Sequence, residues 1–214
     1  REMTFAQRLP RVEELGAGKA WAETWTQRGP MNVGGRTRAL AIDLGYNGTT
    51  NRRILAGGIS GGVYLSEDSG ASWQLTTSLN DVASVTCIAQ DPQNPQVWYH
   101  GTGERLGNSA SGGLASFLGQ GIFKSQDGGR TWQQLAGTVG QGRPNFFDNF
   151  FDIVWNVVVH PQTSAVFAAT FGAIQRSTDG GNTWQVLLGG NENAYNDMTD
   201  VAIGAGGAIY ATLS

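Results

Sequence analysis

The sequence has 214 residues, of which 32 are glycine and only 31 are charged, namely 14 Lys and Arg and 17 Asp and Glu. This composition excludes a helical bundle or coiled coil, and with 40% hydrophobic residues and seven Trp it favours an all-β protein of many tight turns. A formal net charge of −3, with the Lys and Arg scattered along the chain, leaves no basic surface for nucleic acid, and no apolar run approaches the roughly 20 residues that span a bilayer.

In chain order, residues 1–20 form a weakly patterned arm and residues 21–214 carry a repeat. Its core is an eight-residue motif met three times: Ser66-Glu67-Asp68-Ser69-Gly70-Ala71-Ser72-Trp73, Ser125-Gln126-Asp127-Gly128-Gly129-Arg130-Thr131-Trp132 and Ser177-Thr178-Asp179-Gly180-Gly181-Asn182-Thr183-Trp184. The copies begin at residues 66, 125 and 177, spacings of 59 and 52, and self-similarity near 50 residues marks a propeller or solenoid unit. A short Asp side chain accepts hydrogen bonds from backbone N–H groups ahead of it and the glycines supply positive φ, so each motif predicts a tight hairpin with the Trp buried on its outgoing strand. Because Ser69 stands where the other copies have Gly128 and Gly180, only the second glycine position is expected to require glycine.

Strands are predicted around each motif: 38–44, 53–59, 62–67 and 72–77, then 85–91, 97–101, 121–125 and 131–135, then 153–160, 165–170, 173–177 and 183–188. Asp91-Pro92 and His160-Pro161 mark the first turn of the second and third units. Two more strands, 201–203 and 208–213, match half of a fourth. The expected units are therefore 25–77, 85–136 and 153–189, with a half-unit at 198–214. The stretches 28–37, 77–83, 103–119, 137–152 and 189–197 read as irregular loops. Cys87, in the strand-like VTCIAQ, is the one cysteine, which excludes an internal disulfide and a multi-cysteine metal site and leaves a small buried thiol.

The motif is close to Ser-x-Asp-x-Gly-x-Thr-Trp and resembles the Asp-box, or bacterial neuraminidase, repeat of β-propellers. The lead-in Trp25-Thr-Gln-Arg-Gly29-Pro30-Met-Asn32-Val-Gly34-Gly35-Arg36-Thr-Arg38, with Gly61-Gly62-Val-Tyr-Leu-Ser66, is similar to that of secreted bacterial proteins with sortilin-like or glycosyl-hydrolase-like repeats. The resemblance implies four-stranded antiparallel blades, about three and a half of them here, as part of a larger ring completed by further blades of the same chain or by a second copy. Strand 208–213 is expected to present an unpaired edge. It also implies a protein secreted by, or held on the outer surface of, a bacterium.

In such a fold the boxes, with Ser66, Asp68, Gly70 and Trp73, Ser125, Asp127, Gly129 and Trp132, and Ser177, Asp179, Gly181 and Trp184, are scaffold on one face. The irregular loops gather on the other, where long loops on a rigid scaffold are the usual seat of binding. Candidate binding residues there are Arg36, Arg105, Phe146, Phe147, Phe150 and Tyr195. The Phe side chains suit stacking on sugars or anchoring a protein, or else cap the seam between blades. Glu104, Asp148 and Asp152 are the candidate catalytic carboxylates, although Glu104 has an equal reading as the ion-pair partner of Arg105 or Arg36. His100 and His160 have no ligand-spaced companions, so no metal is expected, and no Gly-rich run sits in the strand-turn-helix setting of a nucleotide site, so no cofactor is expected. Two functions follow: a non-catalytic module binding protein or glycan through the loop face, which is favoured, and a glycoside hydrolase using carboxylates on the same face.

Overall fold

A computed structural model describes residues 36–78, 81, 84–108, 114–140, 147–190 and 198–214. The expected arm at 1–20 and the lead-in through residue 35 lie outside them. The first sheet runs β1 (Thr37–Ile42), β2 (Ile54–Gly58), β3 (Gly62–Ser66), β4 (Gln74–Leu75), each strand antiparallel to the next. The second contains β5 (Val85–Gln90) and β6 (Trp98–Thr102), then a separate hairpin of β7 (Glu104–Asn108) and β8 (Leu114–Phe117), then β9 (Ile122–Ser125) and β10 (Gln133–Gln134). The third is β11 (Val154–Val159), β12 (Val166–Thr170), β13 (Ala173–Ser177) and β14 (Gln185–Gly189), and a last hairpin pairs β15 (Thr199–Ile203) with β16 (Ile209–Leu213).

The stretch 103–119, expected to be an irregular loop, contains the β7–β8 hairpin. Its Gly, Ser and Ala residues carry none of the large alternating side chains by which a strand is read from sequence.

Alternation along the strands gives each sheet an apolar face toward the next, and the core lies between sheets. Leu55, Val63 and Leu65 of the first sheet meet Val85 and Trp98 of the second. Tyr99, Ile122 and Leu135 of the second meet Val154, Val157 and Val166 of the third. Phe167, Ala169 and Ile174 of the third meet Val201 of the last hairpin. The first strand of each four-stranded sheet also carries a β-bulge near its start, at Thr37/Ala39, Val85/Cys87 and Val154/Asn156.

The three boxes form one hydrogen-bonded turn. In the first, Ser66 Oγ donates to Asp68 Oδ1 at 2.8 Å, Ser72 N donates to the same oxygen at 2.8 Å, and the Gly70 N–H donates to Ser66 Oγ at 2.8 Å. Thr131 N on Asp127 and Thr183 N on Asp179 repeat the bond at 2.9 Å. Both glycine positions are left-handed. Ser69 (φ 65°) takes the conformation of Gly128 and Gly180 (75° and 74°), and this angle lies in the small region open to L-residues. The second position, at 89°, 85° and 98° in Gly70, Gly129 and Gly181, lies beyond it.

Those second glycines are also where one blade seats on another. A β-carbon on Gly129 would collide with Leu55 of the preceding sheet, and one on Gly181 with Leu135, whereas at Gly70 it would meet only its own Trp73 ring at 3.5 Å. The tryptophans follow suit. Trp132 packs on the first-sheet cluster and donates to Thr76 Oγ1 at 3.0 Å, and Trp184 packs edge-on to Phe151 at 5.1 Å. Trp73, expected in the core, is instead 43% exposed, because no described sheet precedes the first one.

Hydrogen bonds from the Ser72 hydroxyl and amide and from the Ser66 hydroxyl hold Asp68 down to about 2. At Asp127 burial pushes upward but is outweighed by bonds from Thr131, Ser125 and Arg130, which bring it to about 2. Asp179 is lowered the same way, first by the Thr183 hydroxyl. A carboxylate depressed in the folded state contributes stability that is whole above its unfolded value and is lost as pH falls through the folded one. The unfolding temperature should therefore hold down to about pH 4 and drop between about pH 4 and 2, with Asp127→Asn flattening the drop. In urea unfolding, Gly129→Ala or Gly181→Ala should cost about 2–3 kcal/mol, from strain and overpacking together, against about 1 kcal/mol for Gly70→Ala, which meets strain alone.

Candidate functional site

In sheets whose strands follow one another, the turns after first and third strands share one end, and the turns after second strands share the other with the blade-to-blade connections. The boxes accordingly sit beside the first turns: Tyr46 and Ser69 hydroxyls are 2.9 Å apart, and the Gly128 N–H donates to the Gln96 carbonyl at 2.9 Å. The opposite, loop-bearing end holds the remaining candidates among the described residues.

Three segments converge where β6 gives way to β7. The Gly103 N–H donates to the Ser84 carbonyl at 3.1 Å, the Gly119 N–H to the Asp152 carbonyl at 2.7 Å, and Thr102 Oγ1 to the Gly121 carbonyl at 2.7 Å. Gly103 has φ 94°, and a β-carbon there would strike the Asp152 carbonyl, so the chain passes only because this residue is glycine. The pinned turn buries Glu104 completely, and its carboxylate accepts from Arg36 Nη2 and from Arg38 Nη1, the latter at 3.1 Å. Both arginines keep about 40% of their side chains in solvent, at 40% and 38%. Glu104 is thus paired with Arg36, as one of its two readings had it, and with Arg38 as well.

Arg105, next along the hairpin, lies over the ring of Phe171 with its guanidinium carbon 4.8 Å from the centroid, and Phe147 meets the same ring edge-on at 4.5 Å. Phe171 is held in the β12–β13 turn by its N–H, which donates to the Phe150 and Ile153 carbonyls at 3.2 and 3.0 Å. Phe147 is 39% exposed. Arg105, Phe171 and Phe147 thus form a cationic and aromatic platform assembled from three separate segments.

The short 3-10 turn Phe150–Asp152 faces inward. Phe150 is half-buried and Phe151 is buried against Trp184. Asp152 Oδ2 accepts the Asp148 and Asn149 N–H groups at 2.7 and 2.9 Å while Asn149 Oδ1 accepts from Phe151 N at 3.0 Å, a capping box that makes Asp152 part of the turn. Burial raises its pKa against those amide bonds. Asp148 is half-buried beside it. Phe146 and Tyr195 lie outside the described residues.

The sequence reading missed Arg38 and Phe171. Arg38 reads as an ordinary strand residue, and the bulge between Thr37 and Ala39 is what sets it apart from the ladder. Phe171 does carry a signal, since a large aromatic in the tight Thr170-Phe171-Gly172-Ala173 turn has no local partner. His100 is buried flat against Phe123 and edge-on to Trp132, and burial pushes it down to about 3. Burial raises the Cys87 thiol to about 11. Among the described residues no three His, Cys, Asp or Glu side chains group as metal ligands, and no helix is long and apolar enough to cross a membrane.

Neither a protein-family model nor a curated protein sequence matches the chain. Solved structures do. A GH74 xyloglucanase from Xanthomonas campestris is 25% identical over 70% of this chain and 21% of its own, with a TM-score of 0.50. A GH74 enzyme from Niastella koreensis is 20% identical over 85% of this chain and 27% of its own, with a TM-score of 0.51. YCF48 bound to D1 peptide is 15% identical over 83% and 48%, with a TM-score of 0.51. The chain is an all-β, partial β-propeller of about three and a half blades. It spans between about a fifth and a half of the length of these structures.

Glu104→Gln should cost about 2 kcal/mol in urea unfolding, less than a wholly buried pair would, because both guanidiniums reach solvent. Unchanged stability would mean that the two arginines do not depend on the carboxylate.

Proposed function

We propose that the loop face is a non-catalytic binding surface for a protein or glycan partner, with Phe147, Phe171 and Arg105 as its anchor. The observation that carries this reading is the platform itself: an exposed phenyl ring stiffened by a second ring that a guanidinium caps from another blade. Aromatic and arginine side chains of this kind dominate binding energies at interfaces. Catalysis is disfavoured by the state of the carboxylates. Glu104 is engaged by two arginines away from solvent, and Asp152 is spent on backbone N–H groups. That a structurally similar propeller, YCF48, is bound to D1 peptide is consistent with a propeller acting by binding.

The second reading, a glycoside hydrolase on the same face, draws on the 25% identity to the Xanthomonas campestris xyloglucanase. Export to the outer surface or medium of a bacterium, and completion of the ring by further blades of this chain or a second copy, belong to the proposal through the Asp-box resemblance.

Binding to glycan and peptide arrays, run beside a xyloglucan hydrolysis assay, separates the readings. Phe147→Ala and Phe171→Ala should weaken array binding by at least about 2 kcal/mol, while Asp148→Asn should cost under about 1 kcal/mol. Turnover of xyloglucan that Asp148→Asn abolishes with the fold intact would establish the hydrolase instead.

A further inference from the structure

The strands β1, β5, β11 and β15 each begin a blade, and these four inner strands together line a groove of about 410 Å³. The volume lies at the lower end of the roughly 300–1,000 Å³ typical of small-molecule sites. Two of the lining residues are charged, Arg38 on the first of these strands and Asp200 on the last, with β5 and β11 between them. Neighbouring inner strands are tied together: Thr86 Oγ1 donates to the Val154 carbonyl at 2.5 Å, and Asn156 Nδ2 to the Val201 carbonyl at 3.0 Å. The two charges thus stand at opposite ends of one braced groove.

Neither charge is cancelled where it stands. Arg38 shares Glu104 with Arg36, so two guanidiniums face one carboxylate and the cluster keeps one net positive charge. Glu104 is wholly buried while the Arg38 side chain is 38% exposed, which leaves the guanidinium, not the carboxylate, for a ligand to meet. Asp200 is exposed, and its Oδ1 accepts from Asn156 Nδ2 at 3.0 Å and from the Val201 N–H at 2.8 Å, both neutral donors. Among the described residues no cation forms an ion pair with it.

A groove with a positive pole at one end and a negative pole at the other fits a ligand that carries both charges, held apart. In a free amino acid the two charged groups sit on one carbon, whereas each added residue parts them by up to about 3.3–3.6 Å. Each inner strand is also the edge of its sheet, paired on one side only, so the backbone N–H and C=O groups of its other edge have no ladder partner. Such edges suit the amide groups of a peptide. We propose that this groove binds a short peptide with both termini free, of about two to four residues, its carboxylate on Arg38 and its ammonium on Asp200. The site shares no residue with the Phe147 platform, so it goes beyond the binding surface proposed above and is tested apart from it.

The test is an NMR titration of the full, isotope-labelled chain with diglycine, triglycine and tetraglycine, each also as its N-acetylated and its amidated form, and with glycine and cellobiose as controls. At least one free peptide should bind at millimolar concentration or below, about threefold to fivefold more tightly than either of its capped forms, and more tightly than glycine or cellobiose. Asp200→Asn keeps the oxygen that Asn156 uses and removes only the charge. It should weaken the free peptide by about threefold to fivefold and leave the acetylated form, which has no ammonium, unchanged. Arg38→Gln should weaken the free peptide to a similar extent and leave the amidated form unchanged. Unfolding midpoints accompany each variant, and if Arg38→Gln does not fold, Asp200→Asn with the acetylated peptide decides. No binding of any free peptide by the wild-type chain, capped forms that bind as tightly as the free one, a preference for glycine or cellobiose, or an Asp200→Asn effect as large on the acetylated form as on the free peptide would each overturn the assignment.

Discussion

A four-stranded sheet with apolar side chains on both faces has no stable existence in water by itself, and the seating of each blade on its neighbour is the interaction on which this molecule depends. The boxes fix that seating. The Asp and Ser side chains close the turn, the second glycine lets the backbone come close, and a leucine of the preceding blade fills the space where a β-carbon would stand. The Trp that ends the box covers the same seam. One eight-residue motif thus serves the local turn and the long-range contact together, which is why its four constant positions recur at each blade.

With the box end devoted to holding blades together, the opposite end is free to vary. Connections there run from one blade to the next or interrupt a blade, as β7–β8 does, and they can bring distant side chains together because the strands beneath them are already fixed. Phe171 from the third blade meets Arg105 from the second and Phe147 from the connection between them. Arg36 and Arg38 close on Glu104 from the following blade. The inner-strand bulges lie at the same end, near the starts of the first strands of the three four-stranded sheets.

Much of this architecture could be read from sequence because it repeats. The fourteen blade strands follow from the spacing of the boxes and from apolar alternation, and the box turn follows from the chemistry of Ser, Asp and Gly. What could not be read lacks repetition. The β7–β8 hairpin has only Leu106, Leu114 and Phe117 as large apolar residues, with no strand period between them. Trp73 is identical in motif to Trp132 and Trp184, yet its exposure is decided by which sheet lies beside it, a fact no local pattern records. Glu104 could be read from sequence as a candidate acid or as the partner of Arg105 or Arg36, but not as the partner of two arginines 66 and 68 residues away. The pairing of Phe147 with Phe171 is likewise tertiary, although an aromatic in a two-residue turn was there to be noticed.

The claim that blades are held by box-to-neighbour seating is tested most directly by a double-mutant cycle across one seam. Leu135, on the second blade, and Trp184, ending the box of the third, pack in the same cluster. Urea unfolding of the full chain and of Leu135→Ala, Trp184→Ala and the double variant yields their coupling. Seating predicts a coupling energy of at least about 1 kcal/mol, within the range for residues that share a contact. Additivity of the two single effects would contradict it, and would mean that each blade is stabilised within itself.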